Sequence, residues 1–122
     1  MNIIYMATPP LNYFKRVTVA ATTTPTVVYT AHTSPSRAGI LLSALATNLT
    51  NSSRTVTVAL STDGTPGSYY DILKNFPIPA GDALNVAVGK IVLGTQDSLI
   101  ISASDNSAIN FTVSILEAIN TQ

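Results

Sequence analysis

Residues 76–104 read FPIPAGDALNVAVGKIVLGTQDSLIISAS. Apolar side chains recur there at almost every second position, and Pro, Gly and Asp interrupt the pattern at intervals. Alternation with a period of two is typical of β-strands that bury one face, and the interruptions mark turns. The stretch therefore predicts a succession of short strands, at about residues 84–88, 90–93 and 99–103.

The same alternation extends over most of the chain. It is clearest at residues 54–60, where Val56, Val58 and Leu60 face one way between two turn-rich segments, TNSS and TDGTPG. Pro77 and Pro79 cannot donate ladder hydrogen bonds, so the strand that contains them should end there or lie at a sheet edge. Further strands are predicted at residues 15–21, 26–31, 40–48, 69–78 and 111–115, and residues 117–122 are expected to form a tail.

About eight short strands with turns every 8–12 residues, and no helix, favour an all-β fold. We expect one domain over residues 15–122, an antiparallel β-sandwich of the jelly-roll or immunoglobulin-like type. Residues 1–14 are expected to form an extended arm, because Pro9-Pro10 disfavours a helix. The large apolar groups of this arm favour docking on a neighbouring subunit over a frayed terminus.

Charge is scarce in this chain. Only 10% of its 122 residues are charged, against roughly 25% in a typical domain. Six basic and six acidic residues cancel, and a surface with net charge near zero favours association. Lys15 and Arg16 are the sole adjacent cations, so no patch for nucleic acid is expected. No apolar run approaches a membrane span of roughly 20 residues, and the N-terminal stretch lacks the pattern of a secretory signal.

Few residues could support catalysis or metal binding. The chain has no cysteine and one histidine, His32. It contains no G-x-S-x-G, Ser-x-x-Lys or phosphate-loop motif. Four aspartates lie in predicted turns, where such side chains usually bind their own backbone: Asp63, Asp82, Asp97 and Asp105. We expect no catalytic residue, no metal site and no cofactor, hence a protein that is not an enzyme.

Carbohydrate binding is the main alternative from the residues alone, since β-sandwiches can bind sugars through exposed aromatic side chains. Tyr69-Tyr70 is the one aromatic pair beyond the arm, and the chain has no Trp. Adjacent strand residues point to opposite faces. We therefore expect one of the two tyrosines in the core and the other at an interface.

Several motifs together resemble small β-rich virion proteins of tailed bacteriophages. The matching segments cover about residues 15–118: an early VYT strand, a T-V-x-V strand, a P-I-P-A-G corner, a G-K-[IL]-V-L strand, a D-S-[IL] turn and a closing V-S-x-L-E. They fall at residues 28–30, 55–58, 77–81, 89–93, 97–99 and 113–117. The arm lies outside the resemblance.

The resemblance implies a structural role on the particle surface, with assembly in the host cytoplasm. The expected function is a capsid decoration or cement protein that bridges capsomers; the alternative is a neck, tail or baseplate protein. The implied partners are the major capsid protein or other virion proteins, and other copies of the chain, with a trimer favoured. A loop is predicted at residues 32–39. The expected interface residues come from the arm and from the part of this loop around Pro35 to Arg37: Ile3, Ile4, Tyr5, Leu11, Tyr13, Phe14, Pro35 and Arg37.

Overall fold

The computed structural model describes residues 11–31, 37–62, 69–87 and 89–119. These residues form nine β-strands. They include no helix long and apolar enough to cross a membrane. The strands are β1 (Leu11–Ala20), β2 (Thr26–Thr30), β3 (Arg37–Asn48), β4 (Arg54–Ser61), β5 (Tyr69–Ile78), β6 (Ala83–Asn85), β7 (Ile91–Leu93), β8 (Ser98–Ala103) and β9 (Ile109–Ile119).

The strands build two antiparallel sheets that pack face to face. Sheet A has the order β1-β9-β3-β6, and β7 pairs with β3 beside β6. Sheet B has the order β2-β8-β4-β5. This order is that of a jelly roll, in which β6 and β7 together take the place of one strand. The predicted all-β sandwich is confirmed, and of the two types expected it is the jelly roll.

One hydrophobic core lies between the sheets. Phe111, Val113 and Ile115 alternate along β9, and all three are fully buried. Ala46 and Ala44 stand opposite Phe111 and Val113 on β3, so small side chains leave room for large ones. Sheet B contributes six strand residues that are buried in the same core: Tyr29, Val56, Val58, Ile78, Leu99 and Ile101.

Turn chemistry follows the sequence in most places. β5 is the edge strand of sheet B, as Pro77 predicts. Asp97 Oδ2 accepts a hydrogen bond from Gly94 N at 2.8 Å, and Asp82 Oδ1 accepts one from Ala83 N at 2.8 Å, as expected of turn aspartates. Asp105 differs, because its Oδ2 lies 2.6 Å from Nε of Arg54.

Several boundaries differ from the sequence prediction. β1 begins at Leu11, so residues 11–14 belong to a strand of the sandwich instead of an arm. β9 runs to Ile119 and takes in part of the predicted tail, because its partners β1 and β3 are equally long. β3 begins at Arg37 and shortens the predicted loop. Residues 1–10, which include Ile3, Ile4 and Tyr5, lie outside the described residues, as do His32, Pro35 and Asp63.

A buried amide ties the sheets together at one end of the sandwich. Asn48, the last residue of β3, is 1% exposed. Its Nδ2 donates to the carbonyls of Ser52 at 2.8 Å and Ile78 at 2.9 Å. Its Oδ1 accepts from the N–H of Thr50 at 2.9 Å and from the hydroxyl of Thr50 at 2.7 Å. All hydrogen-bonding positions of the amide are used, and they connect sheet A, the turn after it and the end of β5.

We predict that Asn48→Ala lowers the free energy of unfolding by roughly 2–4 kcal/mol, since it removes four hydrogen bonds, one of them to the buried carbonyl of Ile78. Denaturant unfolding followed by circular dichroism measures the loss. Asn110→Ala is the matched control, because Asn110 is also a strand asparagine but is exposed. The control should stay within about 0.5 kcal/mol of the wild type. Equal losses in both variants would contradict a special role for Asn48.

Candidate functional site

The side chains in the first half of β1 are exposed to solvent. β1 is an edge strand that pairs with β9 alone. Residues 12–16 are all exposed, with Tyr13 51% and Phe14 79% exposed. Because successive strand residues point to opposite faces, both faces of this stretch are accessible. The structure thus exposes two of the predicted interface residues, one on each face of the sheet.

On the inner face a tyrosine from sheet B reaches across to sheet A. Tyr29 of β2 donates its hydroxyl hydrogen to Glu117 Oε2 at 2.6 Å. Lys15 Nζ lies 4.0 Å from the same carboxylate oxygen and 5.6 Å from the centre of the Tyr29 ring. Burial, then the hydrogen bond and negative charge of Glu117, raise the pKa of the Tyr29 phenol well above its ordinary value. The phenol therefore stays protonated and acts as a donor that holds the sheets together.

Gly39 makes this contact possible. Gly39 belongs to β3 and pairs with Glu117 of β9. A Cβ atom added to Gly39 would lie 3.0 Å from both Cε2 and Oη of Tyr29. The tyrosine ring therefore packs directly on the backbone of β3.

On the outer face, four apolar side chains stand side by side across sheet A. Phe14 is opposite Leu116, Leu116 is opposite Ile40, and Ile40 is opposite Val92. We call these four residues the outer row. Phe14 and Val92 are 79% and 65% exposed, and the other two are partly buried. The row presents apolar groups to the solvent side, where an antiparallel sheet normally carries polar ones.

Neutral side chains surround the outer row on the same side of sheet A, which we call the outer face. Its described strand positions carry one charged residue, Arg16. The remainder are small, hydroxyl, amide or aliphatic side chains: Asn12, Thr18, Ala20, Asn110, Thr112, Ser114, Ala38, Ser43, Leu45, Thr47, Ala83 and Asn85. An open depression on this face has Thr18, Ala20, Asn110 and Thr112 in its lining. Such a surface offers contacts but no acid, base or nucleophile pair.

The acidic residues that the structure describes serve the fold. Asp71 forms an ion pair with Lys74 at 3.5 Å, and the roles of Asp82, Asp97 and Asp105 are given above. Within the described ranges, no three potential metal-binding side chains come together.

The tyrosine pair does not divide between core and interface as expected. Tyr69 is 37% exposed and Tyr70 is 65% exposed. They are consecutive residues of the edge strand β5, opposite Ser61 and Leu60, so they point to opposite faces. The prediction of one core tyrosine is wrong, because the edge of the sandwich covers neither ring. Two aromatic rings on opposite faces do not form a flat platform for a sugar.

The structure places two predicted interface residues, Leu11 and Arg37, at the same end of sheet A. Both pair with Ile119, Leu11 from β1 and Arg37 from β3, and β9 lies between them. Three members of the outer row were not predicted as interface residues: Ile40, Val92 and Leu116. The sequence does contain an indication of them. Each is next to another apolar residue in its strand, so that strand carries apolar groups on both faces. These neighbours are Leu41, Ile91 or Leu93, and Ile115.

Gly39→Ala should lower the free energy of unfolding by about 1–3 kcal/mol, because the added methyl group forces the Tyr29 ring away. Thermal and denaturant unfolding measure the effect. The control is Gly94→Ala, where a Cβ meets Asp97 Oδ2 at an ordinary 3.5 Å. If Gly39→Ala proved as stable as Gly94→Ala, the ring would not be fixed on the backbone.

Comparisons with known proteins place the fold. No protein-family model and no curated protein matches the chain. Among solved structures, a chain from Bacillus endospore appendages, which form disulfide-linked pili, is similar, with a TM-score of 0.59 and 13% identity over the full length of both chains.

Chains from the particle of infectious bursal disease virus are also similar. The T13 viral particle gives a TM-score of 0.54 at 12% identity over 93% of this chain, and the Gx strain gives 0.55 at 10% identity over 94%. Our chain spans about a third of those viral chains, 32% and 33%. At these identities the likeness shows a common fold, the β-sandwich of proteins that build pili and virus particles.

Proposed function

We propose that this chain is a non-enzymatic structural subunit of an assembled particle, and specifically a decoration or cement protein on the capsid of a tailed bacteriophage. The observation that carries the proposal is the outer row, four apolar side chains on a nearly uncharged sheet face. A monomeric protein gains nothing from such a surface, whereas a subunit buries it against a neighbour.

The fold supports the same role. The similar solved structures belong to a pilus and to virus particles, and this sandwich is of the kind used there. The phage assignment rests on the resemblance of the strand and turn motifs within residues 15–118 to tailed-phage virion proteins.

The mechanism would be mechanical. Burying apolar surface contributes about 25 cal/mol per Å², and a standard interface buries about 800 Å² on each partner. A protein that spans the seam between two capsomers adds such contacts to those the shell already has. More contacts must then break before internal pressure opens the shell. The partners are the major capsid protein or other virion proteins, and the protein would lie on the particle surface as a homo-oligomer.

A fibre subunit is a second candidate, because the match to the endospore appendage chain covers both chains completely. Those pili are disulfide-linked, whereas this chain contains no cysteine. A fibre of this protein would therefore have to be held by noncovalent contacts alone. Electron microscopy of the purified protein at high concentration separates the candidates, since a fibre subunit should form filaments without a capsid.

We expect quantitative mass spectrometry of purified phage particles to find this chain in hundreds of copies, at a simple ratio to the major capsid protein. A few to a few dozen copies would instead place it in the neck, tail or baseplate. Absence from particles would contradict the proposal and make glycan binding the next assay.

Deletion of residues 1–10 should reduce occupancy on capsids at least tenfold, because the segment carries Ile3, Ile4 and Tyr5 for docking on a neighbour. The sandwich starts at Leu11, so the truncated protein should keep its unfolding transition. A matched variant replaces residues 1–10 by a Gly/Ser segment of equal length and separates apolar contact from chain length. Full occupancy of both variants would overturn the role of the arm.

A further inference from the structure

We propose that the outer face of sheet A is a self-association surface, covered by the same face of a second copy of this chain. The inference deepens the proposed function, on which it rests, by naming the surface and the partner, and it replaces the trimer that the resemblance favours with a two-fold dimer. It starts from the outer row: Phe14, Leu116, Ile40 and Val92.

The outer sides of the two sheets differ in how far their apolar side chains are exposed. In sheet B the row that contains Val27, Ile100 and Ala59 is largely shielded, since Ile100 is 2% and Ala59 3% exposed although neither belongs to the core cluster. In sheet A the corresponding large side chains stay accessible, most of all Phe14 and Val92. Of the two outer sides, that of sheet A carries three exposed large apolar side chains, Phe14, Leu45 and Val92, and that of sheet B carries Val27 and Tyr69.

The size of the outer face suits a dimer. Four strand positions at about 4.8 Å spacing and ten residues of β1 at about 3.3 Å rise give a flat area on the order of 600 Å². A standard interface buries about 800 Å² on each partner. The corrugated side-chain surface exceeds its flat projection, so this face alone can supply a stable contact. The outer row by itself is too small, which argues for a partner that covers the whole face.

The charge pattern suits a copy of the same face. Arg16 is the one charged residue at the described strand positions of the face, and the exposed Lys90 directly precedes β7. A two-fold axis along the outer row would set the two Arg16 residues about 13 Å apart along the strands. That distance exceeds the screening length of about 10 Å at 0.1 M salt. An axis parallel to the strands would instead bring Arg16 of one copy towards Lys90 of the other, so the axis along the outer row is the favoured arrangement. Neutral Thr, Ser and Asn side chains can then pair across the remainder of the contact.

Cross-linking tests the proposal directly, because the chain has no cysteine of its own. Ile40→Cys and Leu116→Cys place a thiol at the centre of the outer row, close to the favoured two-fold axis. Packed sheets lie about 10 Å apart, beyond disulfide reach, so a short homobifunctional maleimide is the reagent. Val27→Cys, an exposed β-strand position on sheet B, is the control. We expect at least tenfold more cross-linked dimer from the two outer-row variants than from the control.

Sedimentation velocity on the uncross-linked protein gives the second readout. The wild type should sediment as a dimer at micromolar concentration, and Phe14→Ser/Val92→Ser should sediment as a monomer with an unchanged circular dichroism spectrum. Val27→Ser is the matched control and should remain a dimer. A dimer that persists in Phe14→Ser/Val92→Ser, a trimer, or equal cross-linking at Val27→Cys would each overturn the inference.

The outcomes separate this inference from the proposed function. A protein that is monomeric alone yet abundant in particles would refute self-association through the outer face and leave the structural role standing. A protein that dimerises through the outer row but is absent from particles would support the surface and refute the phage assignment.

Discussion

Sheet A depends on the pairing of the last strand with the first and with the middle of the chain. β9 pairs with β1 from Asn110 to Ile119, and on its other side with β3 from Ile109 to Ile119. Its inward side chains fill the centre of the core. Contacts between residues a hundred positions apart close the sandwich, so loop-closure entropy opposes folding until late and makes such folds slow to form.

The same pairing explains why the two faces of sheet A differ. Inward positions meet sheet B, and they carry the core, the Tyr29–Glu117 hydrogen bond and the close packing on Gly39. No second described sheet covers the outward positions, and they include four apolar residues in direct register. The few charged residues of the chain are therefore not spread evenly over the surface. The outer face of sheet A is nearly free of charge, because cross-strand pairing places apolar and hydroxyl side chains together there.

The sequence predicted the fold class well and the surface poorly. Strict alternation at residues 54–60 identified β4, and Pro77 identified an edge, because both signals are local. The outer row could not be read locally, since it exists only when four strands pair in one particular register. The bulge between Leu41 and Ser43 shifts that register, and no turn residue announces it. The roles of the two glycines beside β7 also became clear only from the structure: Gly89 has a positive φ of 77°, whereas Gly94 donates its N–H to Asp97.

The pairing of Leu11 with Ile119 has a topological consequence. Directly opposed residues of antiparallel strands have Cα atoms about 5 Å apart, so the chain enters and leaves the described sandwich at the same end. A short covalent link could join these two points without crossing the core. The molecule is thus a natural scaffold for circular permutation, and peptides fused beyond either strand would project in one common direction.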